Sequence, residues 1–196
     1  MIQGSDEWFN ARIGMATASR IADILGTKAK RKKYAEQLAV EIKQGFRVVT
    51  QPNEYMVWGT ETEPQARTAY EARSGSFVDL VGFVVHPEIK RSGASPDGLV
   101  GEDGLIEIKC PTTKTHITTL DNYSVPEKYI PQMQWQMACT GRKWCDFVSY
   151  DPRIEDSYFC KRVMRDDEFI AKAEREVIVF LTEVDDLIKM EQQNGI

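Results

Sequence analysis

Apolar and polar residues alternate along the chain with two different periods, and the change of period separates helical from β-rich segments. The first third has the spacing of three to four residues that is typical of helices. A short turn is predicted at Ser5–Arg12, followed by helices at Thr17–Leu25, Lys32–Gln44 and Asn53–Arg73. Gly45 closes the second of these helices, and Gly59 and Pro64 are candidate interruptions of the third.

From Gly75 onwards the period shortens to that of strands. Phe77–Val85 is β-rich, and Gly93–Val100 faces Leu105–Cys110 across Gly101–Gly104, a sequence that favours a hairpin turn. The remaining segments are a helix at Glu127–Cys139, strands at Trp144–Tyr150 and Tyr158–Met164, and a helix from Asp166 to about Met190. Helices before and after a central sheet predict an α/β or α+β layered fold.

Composition favours one globular domain over residues 1–196. Apolar residues make up 42% and charged residues 28%, and the chain has no repeat or linker. Its first ten residues do not resemble a secretory signal, and no apolar run approaches the roughly 20 residues of a membrane span. We expect a cytoplasmic protein without membrane contact. The four cysteines lack C-x-x-C spacing, so reduced thiols are favoured over a zinc site.

The net charge of -5 argues against indiscriminate coating of nucleic acid, because phosphate binding relies on concentrated lysine and arginine. It does not exclude a nuclease. Such an enzyme needs carboxylates to hold cations, and its basic groups need only line a groove.

Two carboxylates and a lysine form the candidate chemical site. In a strand, residues two apart lie roughly 6.6 Å from each other on one face, so Glu107 and Lys109 are neighbours while Ile106 and Ile108 enter the core. The hairpin brings Asp97 alongside Glu107. These carboxylates, with the Ile108 carbonyl, form an oxygen set that suits Mg²⁺.

Similar triplets occur elsewhere and must be distinguished from this set. Glu41-Ile42-Lys43 lies in a predicted helix, where residues two apart point in different directions. Glu88 and Lys90, preceded by Asp79, follow His86-Pro87, which ends the strand. Pattern alone therefore leaves two alternatives for Asp97, Glu107 and Lys109: a metal site, or an ordinary exposed hairpin face.

The segments that flank Asp97, Glu107 and Lys109 favour the metal site over the exposed hairpin face. Pro96-Asp97 followed by Glu107-x-Lys109 matches the PD-(D/E)xK nuclease signature, and the chain resembles the lambda-type phage (alkaline) exonuclease family in particular. The segments that carry the resemblance, in the family's order, are Trp8 with Arg12–Ser19, Trp58-Gly59 with Glu63 and Ala66-Arg67, Ser95–Leu99, Glu107–Pro111, Tyr129 with Gln132–Gln134, and Tyr150–Arg153. The resemblance implies a restriction-endonuclease-like central mixed β-sheet flanked by helices.

The resemblance also implies roles for individual residues. Asp97 and Glu107 would hold Mg²⁺, for which Mn²⁺ would substitute, and Lys109 would assist the attacking water as a base or by positioning it. Glu63 would be an accessory carboxylate and Gln132 would lie near the scissile or terminal phosphate. The implied 5′-phosphate pocket consists of Arg12, Ser19 and Ser95.

Each of these added residues has an ordinary structural alternative. Thr17 and Ser19 open a predicted helix, whose free N–H groups favour an anion, yet either residue could be a plain helix cap. Glu63 could belong to a salt-bridged helix surface, and Gln132 could be an unremarkable helix residue.

Further contacts with DNA and with other chains stay open. The basic cluster Lys28, Lys30, Arg31, Lys32 and Lys33 precedes a predicted helix and is either a DNA contact or a solvated loop. Trp8 resembles a family position near the duplex end but could anchor the N-terminal turn. Val177–Leu181 is apolar all round, which indicates burial on two sides or a subunit contact.

By resemblance, the function is Mg²⁺-dependent 5′-to-3′ digestion of linear double-stranded DNA from 5′-phosphorylated ends. The products would be mononucleotides and 3′ single-stranded DNA for phage-type recombination, with a homotrimer and a single-strand annealing partner protein implied. The alternatives are a PD-(D/E)xK endonuclease, such as a restriction enzyme or junction resolvase, a DNA-end-binding module without catalysis, and a purely structural interaction protein.

Overall fold

Two mixed β-sheets form the centre of the protein, and helices cover them. The computed structural model describes residues 1–46 and 53–193. The strands of this part are β1 (Ala16–Thr17), β2 (Val78–Asp79), β3 (Val84–Val85), β4 (Ser92–Ala94), β5 (Gly98–Val100), β6 (Gly104–Lys109), β7 (Trp144–Tyr150) and β8 (Tyr158–Met164). The α-helices are α1 (Asp6–Asn10), α2 (Ile21–Ile24), α3 (Lys28–Gln44), α4 (Glu54–Ser74), α5 (Thr113–Asn122), α6 (Ile130–Thr140) and α7 (Asp167–Gln193).

The larger sheet has five strands in the order β2-β5-β6-β7-β8, and the smaller has three in the order β1-β4-β3. In the larger sheet β6 runs parallel to β7 and antiparallel to β5, with Ile106 opposite Gly98 on one side and Asp146 on the other. The predicted mixed sheet with flanking helices is therefore confirmed.

Strand β6 is covered on both faces, and its alternating side chains enter two different apolar clusters. Ile106 and Ile108 pack with Tyr70 of α4, as the period-two pattern predicts. Leu105 points the other way and packs with Met133 of α6. Because side chains alternate along a strand, Glu107 and Lys109 share the face of Leu105. The buried face of α6 therefore lies over both polar residues.

The predicted strand Gly93–Val100 is wrong as a single element. Its first part, β4, belongs to the smaller sheet and its last part, β5, to the larger one. The chain crosses between the sheets at Ser95-Pro96-Asp97. Pro96 has no N–H to donate to a ladder, which favours a break at this point.

Several predicted helices have different boundaries in the structure. Thr17 opens no helix but pairs with Gly93 as part of β1, and a 3-10 turn at Ala18–Arg20 leads into α2. Helix α3 begins at Lys28, with Thr27 as its N-cap, so the basic cluster is the start of the helix and does not precede it. Helix α4 continues without interruption through Gly59 and Pro64.

Helix α5 was not predicted from the sequence. It is rich in threonine, a β-branched residue that helices disfavour, so the usual helical signal is weak. Its boundary signal is Thr112, whose side chain accepts a hydrogen bond from the Thr115 N–H. A further 3-10 turn, at Glu127–Tyr129, precedes α6 where a continuous helix was predicted.

Both competing acid-x-base triplets lie outside the central sheet, as predicted. Glu41 is buried in α3, where its carboxylate accepts from the Gly14 N–H and from Gln37. Glu88 and Lys90 lie after β3 in a turn.

The four cysteines are free thiols. No helix in the described ranges combines the length and apolar character that a membrane crossing requires.

Helix α7 packs against α2 and α3 through one face only. Val177 and Phe180 are buried against Ile24 and Leu38, whereas Ile178 and Val179 are 54% and 52% exposed. Of the two alternatives predicted for this run, burial on two sides is therefore not what the single chain shows. A subunit contact at its exposed face stays a prediction.

Arg31 of the basic cluster connects α3 to α7. Its guanidinium donates to the carboxylates of Glu176 and Glu183 at 2.9 Å each, and to the Ile24 carbonyl at 3.0 Å. The Arg31 side chain is 15% exposed. Lys32, one residue further on, is 74% exposed and faces Glu36 at 3.7 Å.

We predict that Arg31→Ala lowers the free energy of unfolding by about 1–2 kcal/mol, because it removes several charged hydrogen bonds between two helices. In a domain of this size that corresponds to a fall in Tm of roughly 2–8 °C. Lys32→Ala is the matched control and should leave Tm within about 1 °C. Equal Tm values for both variants would contradict the inference that the hydrogen bonds of Arg31 stabilise the packing of α3 against α7.

Candidate active site

Glu107 is the centre of a buried polar cluster between β6 and α6. Its side chain is 0% exposed, and donors reach both of its oxygens. Oε1 accepts from Gln132 Nε2 at 2.7 Å and lies 2.5 Å from Lys109 Nζ, while Oε2 accepts from Gln136 Nε2 at 2.6 Å. A carboxylate buried this completely requires such compensation. The alternative of an ordinary exposed hairpin face therefore does not hold.

Asp97 lies next to this cluster, at the point where the chain crosses between the sheets. Its Oδ2 accepts a hydrogen bond of 2.6 Å from the Ile108 N–H, which fixes it against β6 directly beside Glu107. Burial raises the pKa of Asp97 well above its usual range, and the negative charge of Glu107 raises it further. Two carboxylates are therefore held together against their mutual repulsion.

Lys109 supplies positive charge to the same site. Burial alone would lower the pKa of Lys109, but the carboxylates of Glu107 and Asp97 outweigh it and raise the pKa above the usual value. The side chain is therefore an ammonium at neutral pH. Its Nζ also lies 5.2 Å from the centre of the Tyr129 ring, a cation–π contact.

Glu63 of α4 belongs to the same electrostatic cluster. Burial raises the pKa of Glu63, the nearby Arg67 opposes this shift, and the negative charge of Glu107 adds to it. Glu63 and Asp97 line one cleft of about 660 Å³. The carboxylate at position 63 thus faces the site and is not part of a purely solvated helix surface.

The chemistry of these groups fits a hard divalent cation. Asp97 and Glu107 offer carboxylate oxygens, and the Ile108 carbonyl and Glu63 are further oxygen donors of the type that Mg²⁺ prefers. Within residues 1–46 and 53–193, no three histidine, cysteine or acidic side chains are gathered closely enough to hold a metal by themselves. A cation here would therefore use the two carboxylates with backbone, water or substrate oxygens.

A second polar group lies beside the carboxylates, in a small cavity of about 70 Å³. Arg12, Ser19, Ser95 and Gln132 line it, so the structure brings together the residues expected to bind a phosphate. Trp8 organises the cavity: its Nε1 donates to Ser95 Oγ at 2.8 Å. The Arg12 guanidinium also stacks over the Trp8 ring, 3.8 Å from the ring centre.

The helix-terminus argument for this cavity is wrong, although its residues converge. Ser19 is exposed within a three-residue 3-10 turn, and α2 after it has only four residues. Elements this short have little macrodipole. Capping by Thr17 also fails, because its side chain makes no capping hydrogen bond. The cavity is formed by side chains from α1 and the residues just after it, the β1 region, the crossing before β5, and α6.

The two polar groups open onto the same cleft. Trp8 and Arg12 line both the small cavity and the cleft that contains Glu63 and Asp97. Gln132 lines the small cavity and also donates to Glu107. An anion held by Arg12 would therefore lie next to the carboxylate site.

The basic cluster is not brought to this cleft. Lys28 and Arg31 line a separate cavity against α7, with Phe169 and Glu176. The guanidinium of Arg31 is engaged by Glu176 and Glu183, and its expected contact with DNA stays a prediction. Lys28, Lys30 and Lys32 are exposed on α3, and their expected contact with DNA stays a prediction.

Comparison with known proteins agrees with the geometry of the site. Residues 7–143 match the family model described as the YqaJ-like viral recombinase domain. The chain belongs to this family. Comparison with curated proteins finds no match.

Solved structures extend the family assignment over almost the whole chain. An alkaline exonuclease from Laribacter hongkongensis, LHK-Exo, is 49% identical, with 97% of this chain and 98% of that chain covered and a TM-score of 0.93. The same enzyme in complex with dAMP matches at 48% identity, with the same coverage and TM-score. A phage-related exonuclease from Haemophilus somnus 129PT shares the fold, at 18% identity, 90% and 96% coverage, and a TM-score of 0.68.

The expected resemblance to lambda-type alkaline exonucleases is thereby confirmed, and so is the expected class of enzyme, an exonuclease. One residue that contacts the candidate site was not predicted from the sequence. Gln136 follows Gln132 by four residues, so both lie on one face of α6 and both reach Glu107. The i, i+4 repeat of glutamine before a strand was the available signal.

The repulsion between the carboxylates leads to a prediction about stability. Because folding raises the pKa of Asp97, the folded state binds the proton more tightly, and stability is lost as pH rises above the unfolded pKa. We expect Asp97→Asn to raise the Tm of the protein in EDTA by a few degrees at pH 8, on the order of 1 kcal/mol. The difference should shrink towards pH 4.

Asp79→Asn is the control for this measurement, because Asp79 is exposed on the edge strand β2. It should leave Tm unchanged at both pH values. An Asp97→Asn variant that melts below the wild type at pH 8 would contradict a repulsive carboxylate pair.

Proposed function

We propose that the protein is a Mg²⁺-dependent exonuclease that digests linear double-stranded DNA from 5′-phosphorylated ends in the 5′-to-3′ direction. It would release mononucleotides and leave 3′ single-stranded DNA. One observation carries the proposal: Gln132 donates to Glu107 and also lines the cavity of Arg12, Ser19 and Ser95. A terminal phosphate in that cavity would bring the adjacent phosphodiester bond towards the carboxylates.

The carboxylate cluster would hold the metal ion. Asp97, Glu107 and the Ile108 carbonyl are the proposed ligands, with Glu63 as an accessory carboxylate. When bound, Mg²⁺ (or Mn²⁺ in its place) activates water for attack and stabilises negative charge on phosphate oxygens. Gln132 would keep the Glu107 carboxylate oriented throughout.

Lys109 would position the reacting groups. As an ammonium it donates hydrogen bonds to water or to a phosphate oxygen, and it has no lone pair with which to take a proton. The raised pKa of Lys109 therefore favours positioning and charge stabilisation over the role of general base.

The small cavity would recognise the 5′-phosphate and so set the polarity. A guanidinium and serine hydroxyls are suitable donors for a phosphate dianion. The Trp8 ring would keep Arg12 in place by stacking, and its indole N–H orients Ser95. The complex of LHK-Exo with dAMP supports deoxynucleoside monophosphates as the class of product.

The biological role would be DNA recombination of the phage type, which is consistent with the description of the family as a viral recombinase domain. We propose a homotrimer that acts on DNA ends with a single-strand annealing protein as its partner. The site of action would be the cytoplasm of a bacterial or phage-infected cell.

The catalytic part of the proposal is tested by Lys109→Ala and Asp97→Ala. Either change should reduce Mg²⁺-dependent release of nucleotides from linear duplex by at least about 100-fold, because charge stabilisation in the site is lost. Lys90→Ala alters the competing triplet and should leave the rate unchanged. Full activity in a folded Lys109→Ala variant would remove the proposed site. No release by the wild type would favour an end-binding module.

The polarity part is tested with duplexes labelled at the 5′ or the 3′ end, with and without a 5′-phosphate. Arg12→Ala should reduce the preference for phosphorylated ends by about 10- to 100-fold, the loss expected for a charged hydrogen bond of roughly 1.5–3 kcal/mol. Arg142→Ala is the control, because the Arg142 guanidinium donates to the Gly101 carbonyl and neither residue lines the cleft or the small cavity. Cleavage of closed circular DNA would instead favour an endonuclease.

A further inference from the structure

Glu107 holds its two oxygens in different environments, and the difference assigns a role to Gln136. The partners of Oε1 are Gln132 and Lys109, which are both partly exposed, and Gln132 also lines the small cavity. The partner of Oε2 is Gln136, whose side chain is 0% exposed. One oxygen therefore faces the reacting groups and the other faces the interior of the protein.

The orientation of the Gln136 amide follows from the chemistry of its partner. An ionised carboxylate only accepts hydrogen bonds, so Gln136 must present Nε2 to Glu107 and turn its Oε1 away. Within the described residues 1–46 and 53–193, that Oε1 is buried and has no hydrogen-bond partner. A buried acceptor without a partner is unfavourable. The hydrogen bond to Glu107 is therefore the interaction that compensates for the burial of the polar Gln136 side chain.

We propose that Gln136 is a positioning residue, which holds Oε2 of Glu107 so that Oε1 stays directed towards the metal and the substrate phosphate. The inference rests on the proposed metal-binding function of Glu107. Gln136 does not line the cleft or the phosphate cavity, so it would act only through Glu107. Its removal should weaken metal binding more than DNA binding.

The chain offers a closely matched control on the same helix. Gln134 is also a buried glutamine of α6, at 2% exposure, and makes two hydrogen bonds. Its Nε2 donates to the Met164 carbonyl and its Oε1 accepts from the Asp166 N–H, at the start of α7. Substitution of Gln134 therefore disturbs packing around α6 without touching Glu107.

The experiment compares Gln136→Met with Gln134→Met. Free Mn²⁺ is measured by electron paramagnetic resonance during titration of each protein without DNA. The half-saturating Mg²⁺ concentration and the KM for DNA are then measured in the digestion assay. We expect Gln136→Met to weaken Mn²⁺ binding and raise half-saturating Mg²⁺ by about tenfold, with KM for DNA unchanged. Gln134→Met should lower Tm but leave both metal values at those of the wild type.

Each outcome is decisive. Wild-type metal affinity in folded Gln136→Met would overturn the inference, as would equal loss of affinity in both variants. If Gln136→Met does not fold, Gln136→Asn keeps the amide but shortens its reach by one methylene, and the same tenfold shift is expected. Absence of Mn²⁺ binding by the wild type would instead refute the proposed metal site, so the two failures are distinguishable.

Discussion

The fully buried carboxylate of Glu107 is the constraint on which the surrounding structure depends. A charge without access to water destabilises a fold unless donors surround it, and here the donors come from two elements. Lys109 lies on the same strand face, and Gln132 and Gln136 come from α6. The helix must therefore lie across β6 in one register. The apolar contacts of Met133 and Met137 with Leu105 support the same register from either side.

This arrangement couples the stability of the protein to its chemistry in opposite directions. The apolar face of α6 and the tyrosine of α4 stabilise the centre of the sheet. The carboxylates of Asp97 and Glu63 oppose that stability, because burial and the charge of Glu107 raise the pKa of each. Such unfavourable groupings are typical of functional sites, and a bound cation would relieve the repulsion between the carboxylates. The carboxylates are thus held in place at a cost in folding free energy, and the packing of the surrounding core offsets that cost.

Long periodic segments could be predicted from the sequence, and short ones could not. Strands β7 and β8 have the predicted boundaries, because seven alternating residues carry a clear period. The two-residue strand β1 carries none, and the predicted β-rich segment Phe77–Val85 is divided into β2 of the larger sheet and β3 of the smaller one, so the smaller sheet was not foreseen. For the same reason Gly93–Val100 seemed to be one strand, although it crosses between two sheets at Pro96. Tertiary pairing, rather than local pattern, decides such elements.

The residues of the site followed a similar rule. Asp97, Glu107 and Lys109 could be identified because strand alternation and a hairpin are local features. Arg12 and Ser95 could be grouped only by resemblance, since no local pattern connects them. The pairing of Arg31 with Glu176 and Glu183 could not be predicted, because a run of basic residues does not reveal which side chain turns inwards.

The crossing between the sheets has a consequence for how the small cavity lined by Arg12, Ser19 and Ser95 forms. One side of the cavity comes from residues near the N-terminus and the other from Ser95, and they meet through contacts that span 76 residues at Ala16–Ser92 and 87 at Trp8–Ser95. Contacts between such distant parts of a chain close slowly, because the entropy of the intervening loop must be lost first. A nascent chain that has emerged only as far as α4 therefore contains Trp8, Arg12 and Ser19 without any cavity. The proposed recognition of DNA ends would therefore require both sheets to have formed.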